Sequence, residues 1–282
     1  MVENQRWLDI AAHIVLILGV LIVAFPVYVA FIASTHEPSA FIRGTIPLLP
    51  GDNIAESYAG VFRGGVASQM SVPIGVMLTN SMIMALAIAV GKIVISILSA
   101  FAVVYFRFPF RTLAFWLIFI TLMLPVEVRI VPTFQVISTL GLLNSYTGLT
   151  VPLMASATAT FLFRQVFLTI PDELMEAARI DGAGPMKFFK DILLPMSQTN
   201  IAALFVILFI YGWNQYLWPI LVTTDDSYQT IVAGIKRMSD VVDSEPLWNY
   251  IMSVTVLAML PPVAVVIFMQ RLFVKGLVDS EK

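Results

Sequence analysis

The charged side chains that stand inside or beside apolar runs have the most distinctive chemistry in this chain. Lys92 interrupts one run, and Glu127 and Arg129 lie between Pro125 and Pro132 near the end of another. A guanidinium binds two oxygens of a phosphate or carboxylate at once, and a charge in an apolar segment usually faces a bundle interior or water. One interpretation of the pattern is a path for an anion. The alternatives are an internal Glu127–Arg129 pair and, favoured for Lys92, a structural lysine bound to helix carbonyls or a partner.

Uncharged polar residues extend this set of path candidates. Asn80 and Ser81 lie in an apolar run, and Asn214 and Gln215 end another within the sequence WNQYLW (213–218). Amides bond hydroxyl groups of a substrate, whereas aromatic side chains at the end of an apolar run commonly anchor a helix at the membrane surface. Trp213 is a candidate for either role.

Composition excludes several other kinds of site. The chain has no cysteine and two histidines, His13 and His36, which excludes disulfides, thiolate metal sites and cysteine catalysis. No HxxxH motif or carboxylate cluster accompanies the histidines, so we expect no metal site. The GxxxxGK[ST] phosphate loop is absent, which fits a chain that hydrolyses no nucleotide itself. We expect no enzyme activity and no cofactor bound by this chain. A net charge of −2 argues against a nucleic-acid partner.

Six long apolar runs must position these residues. The chain is 59% hydrophobic, against roughly 45–50% in a soluble domain, and a membrane-spanning helix needs about 20 apolar residues. We therefore predict an all-α integral membrane protein with a single domain over residues 1–282. The six spans are expected at about 12–33, 76–106, 112–132, 147–168, 198–222 and 249–274, the first of them uncleaved.

The distribution of lysine and arginine predicts the orientation of these spans. With the N-terminus inside, the inner segments hold Arg6, Arg107, Arg111, Arg164, Arg179, Lys187, Lys190, Arg271, Lys275 and Lys282. The outer segments hold the smaller set Arg43, Arg63, Arg129, Lys236 and Arg237. Because positive loops stay in the cytoplasm, both termini and residues 169–197 are predicted to be cytoplasmic.

Residues 169–197 are a polar segment between two apolar runs. Thr169 and Asp172 predict a capping box, with Pro171 in the first turn, and Gly182 and Gly184 divide two short helices. The first helix should carry a small apolar face of Leu174, Ala177 and Ala178. The second should carry Phe188, Phe189, Ile192 and Leu193 on one side. From the pattern alone, a loop lying on the membrane surface and a docking site for another protein are equally favoured.

The spacing within this segment resembles a known motif. Glu176-Ala177-Ala178, three residues, Gly182, nine residues and Ile192-x-Leu194-Pro195 match the EAA loop of bacterial ABC importer permeases. The resemblance implies that the loop, including Asp181, is a coupling helix that docks into a groove of a cytoplasmic ATPase subunit.

The likeness covers nearly the whole chain. LNSYTGLTVP (143–152) and YGWNQYLWP (211–219) are similar to stretches of the carbohydrate, maltose-type group of these permeases. ITLMLPVEVRIVPTFQVI, PLMASATATFLFRQVF and the terminal GLVDSEK are most similar to the second permease subunits of sn-glycerol-3-phosphate importers. That tail differs from the glycine-rich tail of sugar-transporting relatives.

The resemblance implies a type I importer fold in the bacterial inner membrane. The expected partners are a second, different permease subunit, a homodimer of ATPase subunits that binds ATP and Mg²⁺, and a periplasmic or lipid-anchored substrate-binding protein. Docking of that binding protein is a further role for Glu127 and Arg129. The expected substrate is sn-glycerol-3-phosphate or a related glycerophosphodiester.

Three other functions remain as alternatives. The nearest is the same importer type carrying a neutral sugar or polyol. A secondary carrier would need ion-coupling carboxylates in its spans and often an inverted repeat, and the predicted spans hold almost no acidic residue besides Glu127. A receptor or scaffold would have no use for an EAA loop.

Overall fold

The computed structural model describes residues 6–41, 48–64, 72–121, 126–240 and 246–279, without the side chains of residues 6, 126, 127 and 271–279. Every regular element in these ranges is helical. The chain divides into two compact units, Met1–Gly75 with Gly234–Leu260, and Val76–Ala233 with Pro261–Lys282. The prediction of a single domain remains a prediction.

The first unit begins with a long exposed helix. Helix α1 (Arg6–Ser34) presents side chains to the surroundings from residue 7 to residue 28, and nearly all of them are apolar. After it, Thr35 accepts hydrogen bonds from the Gly51 N–H at 2.8 Å and the Asn53 N–H at 2.9 Å. Helix α2 (Ile54–Arg63) follows. Its buried Ser57 hydroxyl accepts from Asn249 Nδ2 at 3.2 Å, so polar side chains hold this unit together.

The second unit is built around one long helix. Helix α3 (Ile74–Tyr105) enters it from residue 76. The elements that follow are α4 (Arg111–Ile120), α5 (Val126–Thr139), α6 (Tyr146–Thr150), α7 (Ala157–Leu168), α8 (Asp172–Ile180), α9 (Pro185–Phe188), α10 (Leu194–Met196), α11 (Gln198–Trp213) and α12 (Leu217–Val222). Helices α13 (Ile231–Ser239) and α14 (Trp248–Asp279) complete the chain.

A close helix contact and a small apolar cluster form the core of this unit. A Cβ atom added to Gly212 would lie 3.0 Å from the α-carbon of Ala85, so α11 and α3 pack backbone against backbone. The cluster beside this contact consists of Met84, Ile88, Ile137, Leu149, Trp218 and Val222. Trp218 is 3% exposed, and its Nε1–H donates to the Gly148 carbonyl at 3.1 Å. The indole therefore belongs to the core.

The apolar helices match the predicted spans in part. Within the part of the chain that the structure describes, three helices are long and apolar enough to cross a membrane: Trp7–Ser34, Ile74–Tyr105 and Trp248–Gln270. The pairs Tyr146–Leu153 with Ala157–Leu168, bent by 49°, and Pro185–Met196 with Gln198–Trp213, bent by 72°, raise the number to five if each pair is one span. These elements include the regions predicted as spans one, two, four, five and six.

Three predicted spans differ from the observed helices. The predicted fourth span, 147–168, is a bent pair in which Ser156 caps α7 by accepting from the Ala159 N–H at 3.3 Å. The fifth, 198–222, was predicted as one helix, but α11 ends at Trp213. Pro219 lies in the first turn of the next helix, because its ring would clash with the carbonyl four residues earlier in a continuous helix.

The third predicted span, 112–132, covers α4 and the beginning of α5, and residues 122–125 between them are outside the described residues. Helix α5 continues through Pro132 to Thr139, so the span does not end at that proline. Arg129 consequently lies in the first turns of a helix rather than at an irregular helix end.

Candidate functional site

The segment 169–197 contains a glycine turn after its first helix. Helix α8 is followed by Gly182 with φ of +73°. The Ala183 N–H donates to the Ala178 carbonyl at 2.8 Å and the Gly182 N–H to the Arg179 carbonyl at 3.0 Å. These two bonds form a Schellman motif, whose left-handed residue is usually glycine. The turn reverses the chain directly after Asp181, as the two predicted helices require.

The start of α8 differs from the predicted capping box. The N-cap is Pro171, and no side chain caps the helix. Thr169 Oγ1 donates instead to the Val166 carbonyl at 2.7 Å, at the end of α7. The threonine hydroxyl is therefore bonded to the preceding helix and does not cap α8. The acidic residues Asp172 and Glu173 in the first turn interact favourably with the helix dipole.

The apolar side chains of α8 divide between two faces. Ala178 is 7% exposed, whereas Leu174 and Ala177 are exposed, so the apolar side predicted for these three residues is only partly buried. Leu174, Ala177 and Ile180 form a stripe at three-residue spacing on the exposed side, and Ile180 is 85% exposed. Ile180 was not among the predicted site residues, although its spacing from Ala177 is visible in the sequence. Glu176 is exposed beside the stripe.

The second half of the loop is anchored by part of its predicted apolar side. Phe188, Phe189 and Leu193 are buried, at 6%, 7% and 0% exposure. The Phe189 ring centroid lies 4.9 Å from that of Phe101, and Phe188 lies 5.3 Å from Tyr105. Both contacts join the loop to the last turns of α3.

A π-helical turn contains the predicted motif residue Ile192, and the motif residues Leu194 and Pro195 follow directly after it. Residues Phe189–Leu193 form this turn, and the Leu194 N–H donates to the Phe189 carbonyl five residues earlier. Such a turn commonly occurs at functional sites. Ile192 and Leu194 are half-buried and Pro195 is exposed. The apolar end of the motif therefore packs partly within the chain, while Glu176, Ala177, Asp181 and Gly182 remain on the surface.

Lys92 is buried inside the second unit against an aromatic ring. It is 7% exposed, and its Nζ lies 3.8 Å from the centroid of the Tyr211 ring. A desolvated cation over an aromatic face gains about 2 kcal/mol. This contact supports a structural role for Lys92. Its partner is an aromatic ring rather than the helix carbonyls that were predicted. Tyr211 was missed in the sequence, where a tyrosine in an apolar run gives no sign of a charged neighbour.

Arg129 is exposed on α5, close enough for its charge to act on Lys92. Among the described side chains, no carboxylate lies within ion-pair distance of either residue. Glu127 cannot be compared, because its side chain is outside the described residues. Neither positive charge is therefore neutralised by a described carboxylate, and a cation that is not neutralised attracts an anion.

Asn80 and Ser81 have internal partners. Asn80 is 2% exposed, and its Nδ2 donates to the carbonyls of Ser227 and Gln229 at 2.8 and 2.9 Å. Its Oδ1 accepts from the Tyr146 hydroxyl at 2.7 Å. Ser81 Oγ accepts from the Ile231 N–H at 2.8 Å. This arrangement favours a structural role over the path, because the side chains fasten residues 227–231 to α3.

The residues predicted at the end of the fifth span also differ in role. Trp213 is 3% exposed and stacks on Phe209 at 5.8 Å between ring centroids. Gln215 Nε2 donates to the Tyr211 carbonyl at 3.1 Å. Asn214 is exposed at the break after α11. Of the predicted polar path residues near this break, Asn214 is the one whose side chain is open to a substrate.

Comparison with known proteins places the chain in a transport family. The family model described as binding-protein-dependent transport system inner membrane component matches residues 92–279. Two proteins described as sn-glycerol-3-phosphate transport system permease protein UgpE, from Yersinia pestis and Agrobacterium fabrum, are each 61% identical over 282 residues, covering 100% of both chains.

A solved structure has the same fold. The crystal structure of a bacterial ABC transporter involved in the import of the acidic polysaccharide alginate matches with a TM-score of 0.79 and 20% identity, covering 96% of this chain and 98% of that chain. The chain therefore belongs to the family of inner membrane components of binding-protein-dependent transport systems, and it is an all-α membrane permease with the type I ABC importer fold.

Proposed function

We propose that this chain is a permease subunit of an ATP-driven importer of sn-glycerol-3-phosphate or a related glycerophosphodiester. The observation that carries the proposal is the 61% identity, over the full length of both chains, with permeases that bear that substrate in their names. The matched region includes the apolar helices, the loop and the path residues of this chain.

The proposed machine requires other subunits. A second, different permease subunit pairs with this chain, and a homodimer of ATPase subunits, which bind ATP and Mg²⁺, lies beneath the pair. A periplasmic or lipid-anchored binding protein delivers the substrate. Hydrolysis belongs to the ATPase, and this chain is not an enzyme. It resides in the bacterial inner membrane with both termini in the cytoplasm.

The loop 169–197 is the proposed docking element for the ATPase. Its stripe of Leu174, Ala177 and Ile180 is apolar and exposed, outside the long apolar helices, which is the composition of a protein contact. Acidic residues beside the stripe, including Glu176, favour a groove that carries positive charge. Phe188 and Phe189 join the loop to α3, so closure of the ATPase dimer is passed to the spans.

The charged residues are the proposed anion path. A phosphate ester that enters an apolar passage loses hydration, and a nearby cation offsets part of that loss. Arg129 is exposed and meets the substrate first. Lys92 is deeper, and the Tyr211 ring beneath it holds its position. Together they favour an anionic substrate over a neutral one without defining the rest of the molecule.

Uptake by the complete transporter, reconstituted with its binding protein, tests the proposal. Labelled sn-glycerol-3-phosphate is compared with maltose and glycerol, in wild type and in Arg129→Ala. The matched control is Arg63→Ala, which removes another exposed arginine, from the end of α2. We expect phosphate-ester uptake that is slowed in Arg129→Ala and unchanged in Arg63→Ala.

The outcomes separate the substrate from the residue. Transport of maltose or glycerol without the phosphate ester contradicts the substrate and supports the neutral sugar or polyol alternative. Unchanged phosphate-ester uptake in Arg129→Ala contradicts the role of that residue and leaves the substrate standing. Equal slowing of phosphate-ester uptake in Arg129→Ala and Arg63→Ala would show that loss of any exposed arginine slows uptake, and would contradict a specific role for Arg129.

A further inference from the structure

Two adjoining cavities lie where the chain leaves α3 and enters α4, beside α7 and the loop. The larger has a volume of about 940 Å³ and is lined on the loop side by Met175, Ala178 and Pro185. The smaller, of about 340 Å³, lies between α4 and α7. Arg111 lines both cavities, so they form one continuous site.

The site concentrates positive charge. Arg107, Arg111 and Arg179 line the larger cavity, and Arg111 and Arg164 line the smaller. Asp172 is the one acidic residue among the lining residues of the two cavities. Among the described side chains, none of these arginines has a carboxylate at ion-pair distance. No described carboxylate therefore neutralises their charges, although Arg111 Nη1 also donates to the Phe106 carbonyl at 3.4 Å.

The walls of the smaller cavity are apolar and aromatic. Arg164 lies over the Phe115 ring, 4.4 Å from its centroid, and Trp116, Phe119 and Phe161 line the same cavity. Trp116 is 52% exposed, on an apolar helix of a membrane protein, where the lipid chains lie. The site thus offers arginines in both cavities and, in the smaller one, an aromatic wall that can contact hydrocarbon.

We propose that this site binds the phosphate headgroup of an anionic phospholipid, with an acyl chain along Trp116. Basic pockets between membrane helices bind such headgroups, particularly on the cytoplasmic side. The proposed topology puts these two cavities on that side. Binding of the lipid does not depend on which substrate is transported. It also leaves the ATPase its contact, since Leu174, Ala177 and Ile180 are not among the lining residues.

The lipid would connect the loop to the membrane. Ala178 and Arg179 of α8 share the larger cavity with Arg107 and Arg111, so a headgroup held there contacts both the coupling loop and the span that precedes α4. The class of ligand follows from the combination of charge and apolar wall.

Native mass spectrometry of the complete transporter in detergent tests the proposal. Phosphatidylglycerol and phosphatidylcholine with the same acyl chains are the probes, and the number of retained lipids is measured. In the variant Arg107→Gln with Arg111→Gln we expect phosphatidylglycerol retention to fall by about tenfold or more, at about 1 kcal/mol per arginine. Arg63→Gln, at the far end of α2, should change it less than about twofold. Arg107→Lys with Arg111→Lys, which keeps the charge, should retain most of it.

Four results would overturn the proposal. They are equal retention of the two lipids by wild type, unchanged retention in the glutamine variant, displacement of phosphatidylglycerol by millimolar inorganic phosphate, and loss of the ATPase without loss of lipid. The third would show a site for free phosphate, and the fourth a protein contact. If the glutamine variant does not assemble, the wild-type lipid preference and the lysine variant decide the question. Substrate uptake is not part of this measurement, so a different substrate would leave its result unaffected.

Discussion

Substitution of Gly182 tests whether the glycine turn of the coupling loop is required for docking of the ATPase. Gly182 has φ of +73°, and a Cβ atom there would meet nothing within 4 Å. Gly182→Ala therefore adds no clash and introduces only the strain of a left-handed alanine, about 1–2 kcal/mol. The two bonds of the turn, at 2.8 and 3.0 Å, oppose its opening.

The expected effect follows from that strain. If alanine opens the turn in the free permease, docking must close it again, and the affinity for the ATPase falls by up to roughly 5- to 30-fold. Gly182→Asn should lose much less, because asparagine tolerates the left-handed region. The matched control is Gly184→Ser, where φ is −72°, a Cβ atom also meets nothing within 4 Å, and serine suits the N-cap position.

Titration of the ATPase subunit onto the purified permease pair in nanodiscs measures this affinity, and substrate-stimulated hydrolysis measures coupling. Gly182→Ala should be weakened in both assays, Gly182→Asn slightly and Gly184→Ser not at all. Equal behaviour of Gly182→Ala and Gly184→Ser would show that the left-handed turn is not part of the docking geometry.

Three further predictions concern docking, stability and topology. Ile180→Ser should weaken ATPase binding, since burying an isoleucine is worth about 1.5–3 kcal/mol. Thermal stability should not change, because Ile180 is 85% exposed in the chain alone. Unchanged binding would exclude the stripe as the docking surface. Asn80→Leu should lower the melting temperature in detergent, at about 1–3 kcal/mol for each buried group left unpaired, whereas the exposed Asn214→Ala should not. Equal shifts would contradict the role of Asn80 in fastening residues 227–231 to α3. Reporter fusions near Lys187 should report cytoplasm and those near Asp52 the outside; a cytoplasmic signal at Asp52 would contradict the six-span topology.

The sequence by itself determined the features that depend on neighbouring residues. The lengths of the first, second and last apolar runs indicate membrane helices, because the hydrocarbon core has a nearly fixed thickness. The charged residues of 169–197 likewise mark that segment as polar in the sequence. The turn at Gly182 follows from local backbone sterics, since glycine adopts positive φ without a Cβ clash. The aromatic side of residues 188–193 follows from helical periodicity.

Only the tertiary structure decided which apolar or polar side chain meets which neighbour. Asn80 bonds to carbonyls 147 and 149 residues away, and Lys92 meets Tyr211, so no local pattern identifies either partner. In a membrane, the lipid and the helix core are equally apolar, so hydrophobicity does not distinguish the two faces of a span. The buried side of α8, the break after Trp213 and the grouping of the arginines therefore depended on packing between segments distant in the chain.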